Sequence, residues 1–398
     1  MANTKNALKD VVWVGADDRR LELFENIYPL PKGVSYNSYL ILDGKTALMD
    51  TADASVADLF FENIDAALNG RPLNYVVVQH MEPDHSATLM DLIRRYPDVT
   101  VVCNAKTEGM IHQFFHEDLV FKCQIVKEGD TLPLGQHILQ FTMAPMVHWP
   151  EVMMTYDQTA KILFSADAFG SFGTLDGALF ADEVDFKGDY LMEARRYYAN
   201  IVGKYGAPVQ AVLKKAAGLD IQMICPLHGF VWRKDLSFLL DKYQHWSTYQ
   251  PEEKAVVVAY ASMYGHTAKA AETIAETLVK KGCPVCVYDL SKTDRSVVLS
   301  EVFRVSHLVL AATTHDGELF EPMEYLLREM KSHGVQGRKV ALIENGSWAS
   351  VAAKKMQELL ETMKDMQVVS PVISIKSALA PSQETELTEL ANALVQEN

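Results

Sequence analysis

No uninterrupted apolar run in this chain approaches the ~20 residues needed to span a bilayer, so the sequence offers no membrane anchor. Basic residues are outnumbered: 37 Lys and Arg stand against 52 Asp and Glu, a formal net charge of −15 at pH 7. Non-specific nucleic-acid binding needs Lys and Arg to neutralise phosphates, so that class is excluded, while a local basic docking patch is not. Cysteine is scarce and odd in number: Cys103, Cys123, Cys225, Cys283 and Cys286. All five lie in or beside apolar, strand-like runs, where cysteine behaves as a small hydrophobe. Cys283-Pro284-Val285-Cys286 has redox-motif spacing, but no second such pair completes a thiolate metal site, so a structural role is expected and no rubredoxin-like module is read. The N-terminal stretch Met1-Ala2-Asn3-Thr4-Lys5-Asn6 lacks the apolar core of a secretion signal, which predicts a cytoplasmic protein. Internal repeats and low-complexity tracts are absent. What is present, 398 residues with 48% hydrophobic and 22% charged composition, is globular and too long for one ordinary core, so two domains are expected.

The chain is organised around His80-Met81-Glu82-Pro83-Asp84-His85. Tyr75-Val76-Val77-Val78-Gln79 before it reads as a buried strand, and Ser86-Ala87-Thr88-Leu89-Met90 after it as the capped start of a helix. Two imidazoles and two carboxylates therefore share one strand-to-helix turn, which Pro83 stiffens by fixing its own φ and restricting Glu82. Such a mixed nitrogen and oxygen set suits iron, manganese or zinc better than a thiolate-loving metal. Solvated loop polars are the competing reading, and four ligand-type residues at the end of one buried strand argue against it. Three more donors follow strand-like runs: His148 after residues 138–143, Asp167 after 161–165 and His228 after 222–225. Singly each reads as a turn residue; together the set has four His and three carboxylates, enough for two metals sharing one carboxylate.

The ordered set His80, Glu82, Asp84, His85, His148, Asp167 and His228 resembles the metallo-β-lactamase fold in its flavodiiron variant. Hydrolases of that fold usually carry His where this chain has Glu82, and another hard oxygen favours an iron pair over a zinc pair. The resemblance implies one iron held by His80, Glu82 and His148, a second by Asp84, His85 and His228, and Asp167 bridging them. It also implies an αββα sandwich. Consistent with that, residues 11–15 read as a first strand, 36–50 as a hairpin around Asp43-Gly44, 56–68 and 88–96 as helices, and 99–103, 120–123 and 152–156 as further strands. Residues 191–203, 208–217 and 234–248 read as helices. The Gly- and Phe-rich segment 168–177 is expected to lie over the metals and, with Trp149, to keep water low and leave room for a diatomic molecule.

Gln250-Pro251-Glu252-Glu253-Lys254 has the polarity and proline of a boundary, giving domains at 1–250 and 254–398. The second half opens with a strand, residues 255–260, then Ser262-Met263-Tyr264-Gly265-His266-Thr267 and a helix with apolar residues at Ala271, Ile274, Ala275 and Leu278. Hydroxyls and free N–H groups at a helix N-terminus cradle a phosphate. Two further strands end in Thr313-Thr314-His315-Asp316-Gly317 and Asn345-Gly346-Ser347-Trp348-Ala349, loops able to enclose a flat ring at the carboxyl edge of a doubly wound sheet. Trp348 is expected to pack on that ring, with core filling as the alternative. The arrangement resembles flavodoxin, which implies FMN and an α/β parallel sheet behind the α/β and α+β metal domain.

Taken over nearly the whole chain, the flavodiiron resemblance implies a cytoplasmic reductase that passes electrons through FMN to a diiron site. Its substrates would be O2, reduced to water, NO, reduced to N2O, or both, protecting an anaerobic type of metabolism. A reduced flavin and a diferrous pair hold two electrons each, together enough for O2. The resemblance further implies a head-to-tail homodimer or dimer of dimers, and rubredoxin or a rubredoxin-like flavoprotein as donor. Two rivals stand beside it: a dinuclear zinc hydrolase fused to a flavodoxin module, and a non-catalytic FMN carrier or gas sensor.

Overall fold

The computed structural model describes residues 2–116 and 120–396. The chain forms two compact units, one of residues 1–198 and 207–241, the other of residues 199–206 and 242–398. Among the described residues no helix is long and apolar enough to cross a membrane.

Two large sheets form the frame of the first unit, beside two two-stranded ones that pair Ala16–Asp18 with Val34–Tyr36 and Leu23–Phe24 with Tyr28–Pro29. A seven-stranded sheet runs in the order Lys5–Asn6, Val11–Trp13, Tyr39–Leu42, Thr46–Met49, Tyr75–Val77, Thr100–Cys103, Lys122–Ile125. The expected hairpin is there, with Tyr39–Leu42 antiparallel to Thr46–Met49. Asp43 fixes its tip, accepting the Gly44 and His137 N–H groups at 2.7 Å each. Beyond the hairpin the strands run parallel, Tyr75–Val77 between Thr46–Met49 and Thr100–Cys103. A five-stranded sheet follows in the order Thr131–Pro133, Ile138–Met143, Met153–Asp157, Ile162–Phe164, Met223–Cys225. The sheets meet through apolar faces: Tyr39 of the first lies 5.5 Å from Phe164 of the second, ring to ring. A buried side chain of that size contributes about 1.5–3 kcal/mol, and Val76, Val77, Phe141 and Phe164 are all fully buried. The helix Ala57–Leu68 buries Phe60, Ile64 and Leu68, one side chain per helical turn.

The helix after the central strand differs from expectation. It starts at Pro83, and Pro83–Ser86 is a short helical turn separate from Leu89–Arg95. Proline at the first helical position loses no hydrogen bond and is preset for the helix. Ser86, expected to cap a helix start, instead closes this turn by donating to the Met81 and Glu82 carbonyls at 2.9 and 3.0 Å. Asp84 and His85 thereby sit on a rigid helical turn.

In the second unit the parallel strands run in the order Val285–Asp289, Glu253–Ala261, Val305–His315, Lys339–Asn345, with Gln367–Val368 and Ile373–Ile375 beside the last. This is the doubly wound order whose switch point lies between the first and third strands. Val256, Val258, Val309, Ala311 and Ile343 pack with Ile274 and Leu278 of helix His266–Lys280 and Leu387, Leu390 and Leu394 of helix Gln383–Val395. The alternate positions Val257, Leu308, Leu310, Val340 and Leu342 are fully buried as well, as a sheet covered on both faces requires. Cys283 and Cys286 are unbridged and half-buried, and the Cys286 sulfur lies 3.3 Å from an Arg304 nitrogen.

Candidate functional site

All seven metal-type residues come together at one edge of the first unit, at the ends of the strands that precede them. His80, Glu82, His148 and Asp167 form one cluster of donor atoms within 4.8 Å of one another, and Asp84, His85 and His228 a second. In the first, Glu82 Oε2 lies 3.3 Å from His80 Nε2 and 3.0 Å from His148 Nε2. In the second, Asp84 Oδ2 lies 3.3 Å from His85 Nε2 and 3.1 Å from His228 Nε2. Asp167 faces both: Oδ2 is 3.1 Å from His80 Nε2 and 3.3 Å from His148 Nε2, while Oδ1 is 3.4 Å from His85 Nε2 and 3.7 Å from His228 Nε2.

Among the described residues neither oxygen of Asp84 or of Asp167, all buried, has a hydrogen-bond partner, and the His85 and His228 Nε2 atoms face each other at 3.0 Å. Four orphaned carboxylate oxygens and two opposed imidazole nitrogens are costly in a dry interior; a pair of cations satisfies all of them. The electrostatics agree. Burial opposes charge on His80, yet Asp167, Glu151 and Glu82 outweigh it and hold its pKa well above the ordinary value. Burial also opposes charge on Asp167, and His80, His148 and His85 pull its carboxyl well below the usual range. His148 is raised to about 9, Asp167 and Glu82 overcoming its desolvation.

Neighbouring residues fix these donors. Asn37 donates to the Pro226 and Gly229 carbonyls at 2.9 and 2.8 Å and accepts from Trp13 Nε1 at 2.9 Å, so the loop bearing His228 is held by a fully paired amide. Phe24, Tyr36 and Tyr197 surround the His228 ring at centroid distances of 5.4, 5.9 and 5.5 Å. From the segment expected to overlie the metals, Phe169 and Phe172 are buried, and Phe172 packs edge-on to Phe24 and Tyr197 at 5.4 and 5.1 Å. Trp149 stands edge-on to His80 at 5.3 Å.

In the second unit a cleft of about 500 Å³ opens at the carboxyl ends of the strands. Ser262, Met263, Tyr264, His266, Thr267, Thr313, Thr314, His315, Asp316, Gly317, Asn345, Gly346, Ser347, Trp348 and Ala349 all line it. Gly265, also expected there, is absent from the lining and serves as the N-cap of helix His266–Lys280 at φ +91°. No side chain caps that helix, so its first N–H groups are open to an anion, as a phosphate needs. Thr314 is engaged elsewhere: its hydroxyl accepts the Val351 and Ala352 N–H groups at 2.9 and 3.2 Å. Asn345 pairs with the Ser377 backbone at 3.0 and 3.1 Å, making it a brace for the loop. Trp348 is 92% exposed, which rules out core filling.

Residues 34–229 match the model of the ODP family beta lactamase and residues 258–389 that of flavodoxin. An anaerobic nitric oxide reductase flavorubredoxin of Aeromonas hydrophila subsp. hydrophila is 32% identical over 357 residues, 88% of this chain and 71% of that one. The chain belongs to the flavodiiron protein family. Flavodiiron structures agree with the assignment. The flavodiiron protein from Giardia intestinalis superposes with a TM-score of 0.93 at 25% identity, covering 99% of this chain and 96% of that one. Rubredoxin oxygen:oxidoreductase from Desulfovibrio gigas does so with 0.92 at 26%, covering 98% of each. The protein is an oxidoreductase, with a metallo-β-lactamase-like domain followed by a flavodoxin-like one.

Three residues of this flavodiiron chain were not found from the sequence. Ser377, at φ +69°, lines the cleft, and its hydroxyl donates to Ser347 Oγ at 2.8 Å. Glu25 approaches Glu82, and partial burial together with that neighbour pushes its carboxyl up to about 8. Glu151 accepts from His80 Nδ1 at 2.7 Å. The only sequence signal was for Glu151, a carboxylate three residues after His148.

Proposed function

We propose that this flavodiiron protein takes electrons from a rubredoxin or rubredoxin-like flavoprotein and reduces O2 to water, NO to N2O, or both. The observation that carries the reading is the donor set itself, two clusters joined by the buried Asp167 carboxylate, with the four oxygens of Asp84 and Asp167 left without a hydrogen-bond partner among the described residues. The relatives named for nitric oxide and oxygen reduction support it. His80, Glu82 and His148 would hold one iron, Asp84, His85 and His228 the other, and Asp167 both. FMN would lie in the cleft of the second unit, its phosphate on the open N–H groups of His266 and Thr267, beside Ser262, whose hydroxyl already accepts the Gly265 N–H at 3.1 Å. When bound, the flavin and iron pair supply the stored electrons and the Lewis acidity that orients the gas and stabilises charge on its oxygen.

The chain's own part is positioning and exclusion. The Asn37 amide and the strand ends hold the donors rigid. Phe24, Phe172, Tyr197 and Trp149 form an apolar wall that suits a small diatomic and offers little to a large polar substrate. The division into domains 1–250 and 254–398 belongs to the proposal, supported by matched models at 34–229 and 258–389 on either side of the polar segment; the compact units divide a little earlier, at 241, with residues 199–206 joining the second. A head-to-tail dimer belongs to the proposal, supported by Tyr264 and Trp348, 87% and 92% exposed at the cleft rim, where cover by a second copy would bury them. Metal and flavin analysis of the purified protein tests the reading. Two irons and one FMN per chain are expected; zinc in both positions would restore the hydrolase alternative.

A further inference from the structure

We propose that Glu151 makes the two metal positions chemically unequal, as a positioning residue that fixes the His80 ring and adds negative charge behind the metal held by His80, Glu82 and His148. The inference rests on the diiron reading of the seven donors. The His80 and Glu151 side chains are both 0% exposed, with Nδ1 and Oε1 2.7 Å apart. The same Oε1 accepts the Met81 N–H at 2.9 Å, so it is pinned from two directions. Asn104, which caps helix Ala105–Phe114, also donates to the Glu151 carbonyl at 2.6 Å and anchors its backbone. Oε2 is buried and has no hydrogen-bond partner among the described residues, leaving the carboxylate's charge to act through the imidazole.

Among the described residues no carboxylate is hydrogen-bonded behind the second position. There His228 Nδ1 donates to the neutral Ser35 carbonyl at 2.7 Å, and His85 Nδ1 is buried without a partner. Asp50 is near, but its hydrogen bonds go to the Gln79 amide and to the Gln79 and His80 backbone N–H groups. A carboxylate on Nδ1–H fixes the tautomer, points the Nε2 lone pair at the metal and strengthens it as a donor; such outer partners are worth roughly 10–100-fold in metal affinity. The first position therefore binds its cation more tightly and, for iron, favours the higher charge state more than the second does.

The test uses full-length holoprotein loaded with ⁵⁷Fe. Wild type should release its two irons to EDTA in two phases. Glu151→Gln keeps size and an acceptor for the Met81 N–H but loses the charge. It should speed the slower phase about 10–100-fold and shift one of two Mössbauer quadrupole doublets, leaving the other phase and doublet in place. Glu151→Asp should return both readouts toward wild type, and it carries the same test should the glutamine variant fail to fold. Acceleration of both phases together, or of neither, would overturn the inequality. A wild type without two irons per chain would overturn the diiron reading with it. Two irons indifferent to both gases would sink only the reductase proposal, with the two-phase result still deciding the role of Glu151.

Discussion

Asp167 concentrates the geometry of the site in one side chain, one oxygen toward each cluster and neither with any other partner. Asp167→Asn keeps its volume and removes its charge. Gas reduction should fall by more than the ~10–100-fold typical of losing an outer-shell partner, iron should drop below two per chain, and FMN should stay bound; elemental analysis and flavin absorbance check this. Gly229 is a backbone counterpart. At φ +75° it turns the chain directly after His228, and a Cβ there would lie 2.1 Å from the Ser171 hydroxyl. Gly229→Ala should destabilise the unit by roughly 1–3 kcal/mol and weaken iron retention, read by urea denaturation and metal content. The seven donor-type residues were legible because they follow four apolar, strand-like runs, four of them on the one turn after residues 75–79. Glu151 was not, because its pairing with His80 spans 71 residues and depends on the Met153 N–H meeting the Gln79 carbonyl at 3.0 Å.

The working groups are delivered by the ends of secondary-structure elements. Helix His266–Lys280 starts without a side-chain cap, and Thr267 in its first turn is 2% exposed. Thr267→Phe should therefore lose FMN first and retain iron, measured by the flavin-to-iron ratio after purification. Elsewhere the buried His137 sits between fully buried Asp157 and half-exposed Asp10. Hydrogen bonding to Asp157, opposed by burial, raises its pKa from 6.5 to about 9. Charged His137 is favoured in the folded state, so its contribution is complete below about pH 6.5 and fades as pH rises to about 9, a loss of roughly 1–3 kcal/mol. Denaturation midpoints of wild type and His137→Gln should converge at pH 9 and separate at pH 6. Element types were readable from period and turn chemistry. The helical start at Pro83 was missed because Ser86 gives a capping signal that the fold spends on the Met81 and Glu82 carbonyls.

Across the whole molecule, two folds with separate cores each bring loops to the carboxyl ends of their strands, one set rich in imidazole and carboxylate, the other in hydroxyls and open N–H groups. The parallel strands of the second unit and the three loops that line its cleft were legible, since buried parallel strands read as continuous apolar runs; their spatial order was not. Ser377 escaped because nothing local to it signals a ligand; the brace from Asn345 brings it to the cleft. The choice between O2 and NO is a property of the assembled pocket, and it is read by mixing. Anaerobic stopped-flow mixing of the fully reduced protein with O2 and, separately, with NO is the most direct test. Rapid reoxidation of flavin by at least one gas, abolished by Asp167→Asn in protein that still holds FMN, is the expected result. A reduced wild type carrying both cofactors and inert toward both gases would contradict the assignment as a gas reductase.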